Sequence, residues 1–441
     1  MTSRPPASAA TAAPLNPTPL PQRTQVVVVG GGPTGSAAAI HAANAGLEVV
    51  LVDAATFPRD KTCGDGLTPR AIAELQRLGV AERILHRSRN NGLKLYGFGG
   101  AITAPWPQGN FPNAGAAMRR TEFDHLLLQE ATHAGARVFD GHAVVGIERG
   151  NIGAGRTGVR AVTVRDRNGQ VHNLATDWLL VADGVRSVIG KQLGRVWHRD
   201  SVFGVAARSY VTLGPEAEAN WIHSHLELRG ADGESHPGYG WIFPLGDGTA
   251  NLGCGALSTS ARPTRANVKK LLHDYHAQVQ QEFGLGTPTS VTSALLPMGG
   301  AVSQVAGPNW ALLGDAAALV NPLNGEGIDY GMESARLAVE LLVATAAGHD
   351  GLAHAWPALL REHYGAGFAL ARTLALALTY PKLLPTVGPL TIGARWGEPL
   401  MAMAARLMGN LVTDADRDVV ARLWRLASRG ALLSQPRQPW Q

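Results

Sequence analysis

The stretch VVVVGGGPTG at residues 26–35 constrains the fold more strongly than any other part of the sequence. Its four valines predict a buried strand. Gly30, Gly32 and Gly35 follow at a spacing that allows a tight turn, a close backbone approach and close packing of a helix on the strand. An alanine-rich segment at 36–45 and a valine-rich segment at 48–52 complete a strand, helix, strand unit. Such a unit is the building block of doubly wound α/β domains.

The same unit predicts what binds at its turn. The helix that follows the glycines presents free N–H groups and the positive end of its dipole at this turn, and both favour phosphate. Asp53 ends the second strand, where its carboxylate can accept hydrogen bonds from ribose hydroxyls. We therefore predict that a dinucleotide binds to Gly30, Gly32, Pro33, Thr34, Gly35 and Asp53.

The glycine spacing recurs at Gly153, Gly155 and Gly158, but here the sequence predicts neither a strand before it nor a helix after it. We interpret this second copy as a glycine-rich turn between two strands. The sequence then holds one convincing dinucleotide site. An enzyme built on that site is expected to receive its electrons from a separate donor.

Composition excludes several classes of protein. With 45% hydrophobic and 17% charged residues over 441 positions, the chain is globular and long enough for two or three packed units. Cys63 and Cys254 are too few for a disulfide framework or a cysteine-based metal site. The fifteen histidines show no HExxH-like spacing and no GxSxG motif occurs, so we predict neither a metal site nor serine hydrolysis.

Positive charge is concentrated towards the end of the sequence. Residues 361–441 hold ten Lys/Arg and five Asp/Glu of the totals of 39 and 34, which leaves 29 of each elsewhere. The apolar stretches 373–381 and 383–394 accompany this charge, and the combination favours contact with an anionic membrane surface over binding of nucleic acid. Solvated helix charges are an equally good interpretation. We expect a cytoplasmic protein, peripheral on the cytoplasmic face of the membrane.

Two further motifs identify the dinucleotide. Residues 181–187 read VADGVRS and residues 311–327 read ALLGDAAALVNPLNGEG, so in each an apolar strand leads into an Asp-containing turn. Together with the first motif they resemble the FAD-binding pattern of group A flavin monooxygenases and their relatives. The resemblance implies FAD contacts at Asp183, Asp315, Gly325, Gly327 and Ile328. A helix starting near Gly327 would direct its positive dipole at the flavin, where the reduced ring carries negative charge.

Three motifs narrow the family. The runs FPRDKTCGDGLTP at 57–69, YGWIFP at 239–244 and VNPLNGEGI at 320–328 resemble the geranylgeranyl reductase family of FAD-dependent oxidoreductases, whose members saturate isoprenoid double bonds with reduced FAD. Within it, HLEL at 225–228 and SALLPMGG at 293–300 resemble the branch that reduces one isoprene unit in the side chain of menaquinone, a lipid quinone.

The resemblance also implies further contacts with the cofactor. On it we assign Arg59, Cys63, Gly64, Asp65, Arg120 and Val144 to the FAD site, with Arg120 a better match than Arg119. The sequence departs from the family at Lys191, where the relatives usually have an arginine.

Tyr239, Trp241 and Phe243 alternate along one predicted strand, so their side chains share a face. Such a stripe suits the wall of a pocket for a flat apolar ligand, although plain core packing is the commoner explanation. Cys63, Tyr239 and Trp241 are our candidate catalytic residues, with Cys63 and Tyr239 as candidate proton donors. Cys254 is predicted to be a packing residue.

We therefore predict an α/β fold: a Rossmann-like FAD domain of the group A monooxygenase type, an inserted β-sheet substrate domain and a C-terminal helical region. The expected limits are residues 1–23 for a disordered lead, 24–95, 119–195 and 301–350 for the FAD domain, 96–118 and 196–300 for the substrate domain, and 351–441 for the helices.

Other functions stay open on the sequence alone. Another polyprenyl lipid, such as a geranylgeranyl lipid, could replace menaquinone as substrate. An FAD-dependent aromatic hydroxylase or monooxygenase would share the glycine and aspartate motifs. A flavin halogenase would need a WxWxIP motif, from which YGWIFP departs at two positions. A non-enzymatic FAD-binding protein would bind flavin without turning it over.

Overall fold

The computed structural model describes residues 19–441 except 154, 231–232, 265–266, 347–350, 381, 392–402, 404–405, 407–410 and 414. Most of the predicted lead at 1–23 and part of the predicted helical region 351–441 lie outside the described residues.

The elements alternate early in the chain and become helical at its end. The helices are α1 Pro33–Asn44, α2 Pro69–Arg77, α3 Ala81–Leu85, α4 Arg120–His133, α5 Val188–Gln192, α6 Val268–Phe283, α7 Ile328–Ala346, α8 Leu352–Leu360, α9 Ala366–Leu378, α10 Leu383–Thr391 and α11 Val419–Ser434. The strands are β1 Arg23–Val29, β2 Val49–Asp53, β3 Gly66–Leu67, β4 Gly92–Gly97, β5 Gly100–Pro105, β6 Ala116–Ala117, β7 Arg137–Asp140, β8 Ala143–Asn151, β9 Thr157–Arg165, β10 Val171–Val181, β11 Val196–Trp197, β12 Phe203–Thr212, β13 Ile222–His225, β14 Leu228–Arg229, β15 Ser235–His236, β16 Gly238–Pro244, β17 Thr249–Ser258, β18 Thr289–Pro297, β19 Val302–Ser303, β20 Ala306–Gly307 and β21 Trp310–Leu312.

The first sheet has the order β20-β21-β10-β1-β2-β7, with β9 paired to β10 and β8 to β9. Strands β21, β10, β1, β2 and β7 run parallel. Strand order reverses beside β1, because the chain proceeds to β2 on one side and reaches β10 on the other. Ligands of doubly wound sheets bind at such a switch point, outside the carboxyl ends of the strands. The predicted motifs at 30–35, 183–187 and 313–315 all follow strands that end at this edge.

Helices α1 and α4 pack on this sheet, α7 packs on α1, and together they build the main core. Val26, Val27 and Val28 are fully buried, which explains the uninterrupted valine run, since a parallel strand is covered on both faces.

The second sheet has the order β18-β12-β17-β16-β13-β4-β5. It is antiparallel except where β13 runs parallel to β4. Helix α6 covers one face, where Ile242, Leu252 and Cys254 are buried. The packing role predicted for Cys254 is therefore confirmed.

Caps and turns follow local features of the sequence. Thr68 caps α2 by accepting a hydrogen bond from the N–H of Ala71, and Gly79 follows the helix with φ +75°. Gly153 and Gly155 lie in the turn between the antiparallel strands β8 and β9, as predicted.

One boundary differs from expectation. Strand β4 pairs with β5 and β13, so the second sheet begins at Gly92, before the expected limit at residue 96. Sequence periodicity cannot show this, because the pairing of β4 with β13 joins residues far apart in the chain. The division into domains itself stays a prediction.

The C-terminal segment returns to the FAD-domain core. Trp440 is buried, packs against Phe368 and Tyr364, and its N–H donates to the carbonyl oxygen of Ala317 over 2.8 Å. Among the described residues, we find no helix whose length and hydropathy would let it cross a bilayer.

Candidate active site

The glycine turn after β1 has the packing that the sequence predicts. Gly30 adopts φ +103°, and a Cβ atom there would collide with the carbonyl oxygen of Ala182 at the end of β10. A Cβ atom on Gly35 would collide with the carbonyl oxygen of Gly30. These two glycines therefore bring β1, β10 and α1 together at the switch point.

Gly32 differs from Gly30 and Gly35, because there is space for a Cβ atom beside it. A Cβ atom there would lie 3.6 Å from Nη2 of Arg59 and 3.7 Å from Nη2 of Arg120. Helix α1 begins at the next residue, with no acidic residue in its first turn and no side-chain cap. Two guanidinium groups and a helix N-terminus thus face the same space, which suits a pyrophosphate.

Asp124 holds both arginines in place from inside the core. Its carboxylate is fully buried and accepts from Arg120 over 2.6 and 2.8 Å, while Arg59 Nη1 lies 2.9 Å away. Because one carboxylate serves two guanidinium groups, the cluster keeps one net positive charge for an anionic ligand.

Asp53 is fixed at the carboxyl end of β2, as predicted. Its carboxylate accepts from the N–H of Gly31 over 2.6 Å and from that of Ala55 over 2.7 Å.

Asp183 follows β10, and one carboxylate oxygen accepts from the N–H of Ile189 over 2.8 Å. The other oxygen, Oδ1, is buried and makes no hydrogen bond within the described part of the chain. Burial raises the pKa of this carboxyl group. An unmet acceptor at the switch point is what a ligand hydroxyl or N–H group would satisfy.

Asp315 lies in the 3-10 turn Gly314–Ala317, directly after β21. Its Oδ1 lies 3.1 Å from where a Cβ on Gly327 would be, so the turn and the start of α7 are in close contact. Burial raises the pKa of Asp315, and Lys61 is the leading group that opposes this rise.

Sequence reasoning missed Lys61 and Arg195. The Nζ atom of Lys61 lies 3.7 Å from the Cβ position of Gly184, and burial lowers the pKa of its amine, which Asp315 opposes. Arg195 is buried and donates to the carbonyl oxygen of Ala316 over 2.6 Å. Lys61 stands inside the motif 57–69, whereas the only sequence signal for Arg195 is that it follows the aspartate motif at 181–187.

The Cys63 loop lies against the aromatic strand β16. A Cβ on Gly64 would be 3.1 Å from the Phe243 ring and 3.5 Å from Nε1 of Trp241, and one on Gly66 would be 2.9 Å from Phe243. The rings of Tyr239 and Trp241 are 5.7 Å apart, and those of Trp241 and Phe243 are 6.0 Å apart. The structure therefore brings together two motifs that stand about 175 residues apart in the sequence.

The aromatic strand also contacts the loop that precedes α7. The hydroxyl group of Tyr239 donates to the carbonyl oxygen of Asn324, next to Gly325 with φ +75°. Burial raises the pKa of this phenol. Tyr239 therefore ties the predicted substrate wall to the segment 325–328 that is predicted to lie by the flavin, where Ile328 begins α7.

Cys63 is half-buried. Burial raises the pKa of its thiol, although Arg120 donates a hydrogen bond to the sulfur and opposes the rise. Cys63 is thus a neutral thiol with a cation beside it, which can stabilise a thiolate once a proton has left.

Arg119, Arg120 and Val144 are the remaining candidate positions for the cofactor. Arg119 stacks on Tyr210 and donates to Thr249, whereas Arg120 faces Gly32, in line with the preference for Arg120. Val144 is half-buried against the main core on β8, opposite Val164. The assignment of individual residues to cofactor contacts stays a prediction.

The residues at the switch point fit FAD. A pyrophosphate can bind at the open side of Gly32, beside the two guanidinium groups. Hydroxyl groups can donate hydrogen bonds to the unmet oxygen of Asp183 and to the carboxylate of Asp53.

Comparison with known proteins agrees with this fit. The family model described as an FAD binding domain matches residues 23–354. A menaquinone reductase from Mycolicibacterium smegmatis is 51% identical over 419 residues, which cover 95% of this chain and 99% of that protein. A digeranylgeranylglycerophospholipid reductase from Methanopyrus kandleri is 30% identical over 321 residues, 72% of this chain and 76% of that protein.

The chain belongs to the geranylgeranyl reductase family of FAD-dependent oxidoreductases.

The crystal structure of a geranylgeranyl bacteriochlorophyll reductase-like protein from Thermoplasma acidophilum shares this fold. It is 20% identical, superposes with a TM-score of 0.73, and the match covers 92% of this chain and 99% of that one. Like other members of the geranylgeranyl reductase family, this protein is an FAD-dependent oxidoreductase, and the α/β fold predicted from its sequence is confirmed.

Proposed function

We propose that this protein reduces one isoprene double bond in the side chain of menaquinone. One observation carries the proposal: the Cys63 loop, which the family places against the flavin, packs so closely on the aromatic strand that a Cβ atom on Gly64 or Gly66 would lie 2.9 to 3.5 Å from Phe243 or Trp241. A cofactor and a flat apolar substrate can meet at this junction. The identity of 51% with a menaquinone reductase along nearly the whole chain supports this substrate over other polyprenyl lipids.

Reduced FAD supplies the hydride for such a reduction. The second alkene carbon needs a proton, and an isolated alkene has no electron-withdrawing group to stabilise a carbanion. An acid must therefore stand ready at the site. Cys63 fulfils this role best, because its thiol is neutral and the adjacent Arg120 stabilises the thiolate that remains.

Tyr239 is the less suitable donor, since its hydroxyl proton is engaged by the carbonyl oxygen of Asn324. Its role is to hold the wall of the pocket. Trp241 is likewise a wall residue, with its indole N–H engaged by Oδ1 of Asn251 over 2.9 Å.

We further propose that helix α11 holds the protein on the cytoplasmic face of the membrane. Its side chains Val419, Leu423, Leu426 and Leu433 are between 61 and 84% exposed. At 100° per residue these four positions form one stripe, opposite the buried Ala421 and Ser428. Arg422 and Arg429 are exposed along one edge of the stripe. An apolar stripe with arginines at its edge suits an anionic bilayer surface.

A separate reductase or electron carrier would supply the electrons, in keeping with the single dinucleotide motif of the sequence.

The test uses the full-length holoprotein, reduced with dithionite and freed of oxygen, mixed with menaquinone in anionic vesicles. We expect the flavin to reoxidise under nitrogen, and the quinone recovered after its ring has been reoxidised in air to be heavier by two hydrogens, which then lie in the side chain. The Cys63→Ala variant should lose most of this activity, while Cys254→Ala serves as the matched control, provided that it folds and retains FAD. A geranylgeranyl phospholipid offered in parallel tests the other polyprenyl substrate.

Flavin that stays reduced with both lipids but reoxidises at once in air would overturn the reductase proposal in favour of a monooxygenase. Full activity of Cys63→Ala would exclude Cys63 as the proton donor and leave the reductase proposal intact.

A further inference from the structure

Asp65 is a buried acid next to Cys63. Asp65 is 1% exposed, and its backbone adopts the left-handed conformation with φ +65°. The N–H of Asp65 lies 3.4 Å from the sulfur of Cys63. The left-handed backbone brings the thiol and the carboxyl group, two residues apart, to the same tight turn.

A row of side chains on the second sheet anchors one oxygen of this carboxyl group. The strand registers place Phe243 opposite Asn251 and Asn251 opposite Tyr210, so all three lie on the face towards the Cys63 loop. Oδ2 of Asp65 accepts from the hydroxyl of Tyr210 over 2.8 Å and from the amide of Asn251 over 2.9 Å.

Asn251 joins this anchor to the predicted active site. Its amide nitrogen also donates to the carbonyl oxygen of Cys63 over 2.8 Å, and its amide oxygen accepts from Trp241 over 2.9 Å. A single side chain thus fixes the Cys63 loop, the Asp65 carboxyl group and the aromatic wall relative to one another.

The other oxygen of Asp65, Oδ1, is buried and forms no hydrogen bond with any residue that the structure describes. A carboxylate with one fully anchored and one unmet oxygen is well placed to carry a proton on the unmet oxygen. Burial raises the pKa of Asp65 to about 6, while Asn251 and Tyr210, together with Arg120 on α4 and Arg208 on β12, oppose the rise.

We propose that Asp65 returns a proton to Cys63 after each turnover, a role that rests on Cys63 being the proton donor. The alkene takes a hydride on one carbon and the thiol proton on the other, which leaves Cys63 as thiolate. The carboxylic acid of Asp65 then gives its proton to the sulfur, and the resulting carboxylate takes a new proton from water. Asp65 does not touch the substrate in this scheme and is a positioning residue that acts through Cys63.

The direction of the transfer follows from the two acidities. Burial raises the pKa of the Cys63 thiol above its ordinary value of 9.0, and the charge of Asp65 adds to the rise. The thiolate is then a much stronger base than the Asp65 carboxylate, so protonation of the sulfur is favourable.

The Asp65→Asn variant removes the acidic proton and keeps the hydrogen bonds that anchor the side chain. Asparagine tolerates a left-handed backbone as well as aspartate does and can still accept from Tyr210 and Asn251, but it cannot serve as an acid. Retention of FAD and the circular dichroism spectrum establish that the variant is folded. Should it fail to fold, Tyr210→Phe, which removes one anchor of the acid, takes its place.

Two rates distinguish the outcomes. In a single anaerobic turnover, Asp65→Asn should lose far less of its flavin oxidation rate than it loses in steady state, because Cys63 begins protonated. In steady state with dithionite, its rate should fall at least tenfold and recover with added acetic acid at low pH. Equal steady-state rates in variant and wild type would overturn the role of Asp65. An inactive Asp65→Asn beside a fully active Cys63→Ala would overturn the role of Cys63 and leave the reductase function standing.

A readout without catalysis follows from the same contact. The rate of Cys63 alkylation by iodoacetamide, measured in Cys254→Ala protein, should show an inflection near pH 6 from ionisation of Asp65. The inflection should be absent in Asp65→Asn, which should also react faster at pH 8, since the negative charge that raises the thiol pKa is gone. An unchanged profile would show that the two groups do not interact.

Discussion

The indole N–H of Trp440 donates to the carbonyl oxygen of Ala317, within the turn that carries Asp315. The backbone N–H of Trp440 also donates to the carbonyl oxygen of Gly300 over 2.9 Å. The C-terminal segment is therefore part of the framework of the predicted FAD site.

Trp440→Ala should destabilise the protein by about 3 to 5 kcal/mol, because the indole is buried and its removal leaves a cavity beside Phe368. Urea denaturation of the apoprotein measures the loss. Leu433→Ala is the control, since Leu433 is 84% exposed and its change should stay within about 0.5 kcal/mol. Equal effects of the two changes would contradict the packing described for Trp440.

Gly32→Ala should weaken FAD binding by about tenfold or more without lowering the stability of the apoprotein. The new methyl group meets no atom closer than 3.6 Å, yet it projects towards the space between the turn and the two guanidinium groups. Flavin fluorescence titration gives the affinity. Gly35→Ala is the contrasting variant, because its methyl group collides with the backbone of Gly30 and the fold itself should suffer. Normal affinity in Gly32→Ala would place the pyrophosphate elsewhere.

Leu423→Ser combined with Leu426→Ser should weaken binding to anionic vesicles by about tenfold or more, at roughly 1 to 2 kcal/mol for each apolar side chain. Sedimentation with vesicles measures it, and binding should also fall as salt rises, owing to Arg422 and Arg429. Val188→Ser on α5, 58% exposed, is the matched control. Point changes suit this test better than removal of the whole region, which would also take Trp440 from the core. Undiminished binding of the double variant would exclude this stripe as the contact.

Asp65→Asn should make the apoprotein more stable at pH 8 than the wild type, and the gain should shrink towards pH 4. Folding raises the pKa of Asp65 from 3.8 to about 6. At low pH the carboxyl group is protonated in both the folded and the unfolded state, so it does not lower the free energy of unfolding of the wild type there. The cost grows between those two values and reaches on the order of 3 kcal/mol above them. Thermal unfolding across this range measures it. A gain independent of pH would show that the carboxyl group is not the source.

The parts of the site that sequence alone predicts are those whose geometry is local. Gly30, Gly35 and Asp53 lie within one strand, helix, strand unit, so their spacing determines their packing. The stripe Tyr239, Trp241 and Phe243 follows likewise from the period of a strand.

The network around Asp65 could not be predicted, because Tyr210 and Asn251 reach it through the register of three strands. The only signal was at Asn251, a polar side chain between apolar neighbours in β17, which indicates that a partner exists without identifying it. The burial of Trp440 could not be predicted for a similar reason. A tail rich in arginine suggested the surface, and its burial depends on contacts with residues more than 120 positions earlier.

The placement of β21 has a consequence for biosynthesis. Strand β10 pairs with β1 and with Trp310–Leu312, so the edge that carries the three predicted FAD motifs is incomplete until well over 300 residues have been synthesised. Such distant pairings form slowly, since the intervening chain must first be brought together. A ribosome-bound intermediate that lacks the last third of the polypeptide would therefore expose the valine-rich strands, and the vitamin-derived prosthetic group can be captured only late in translation.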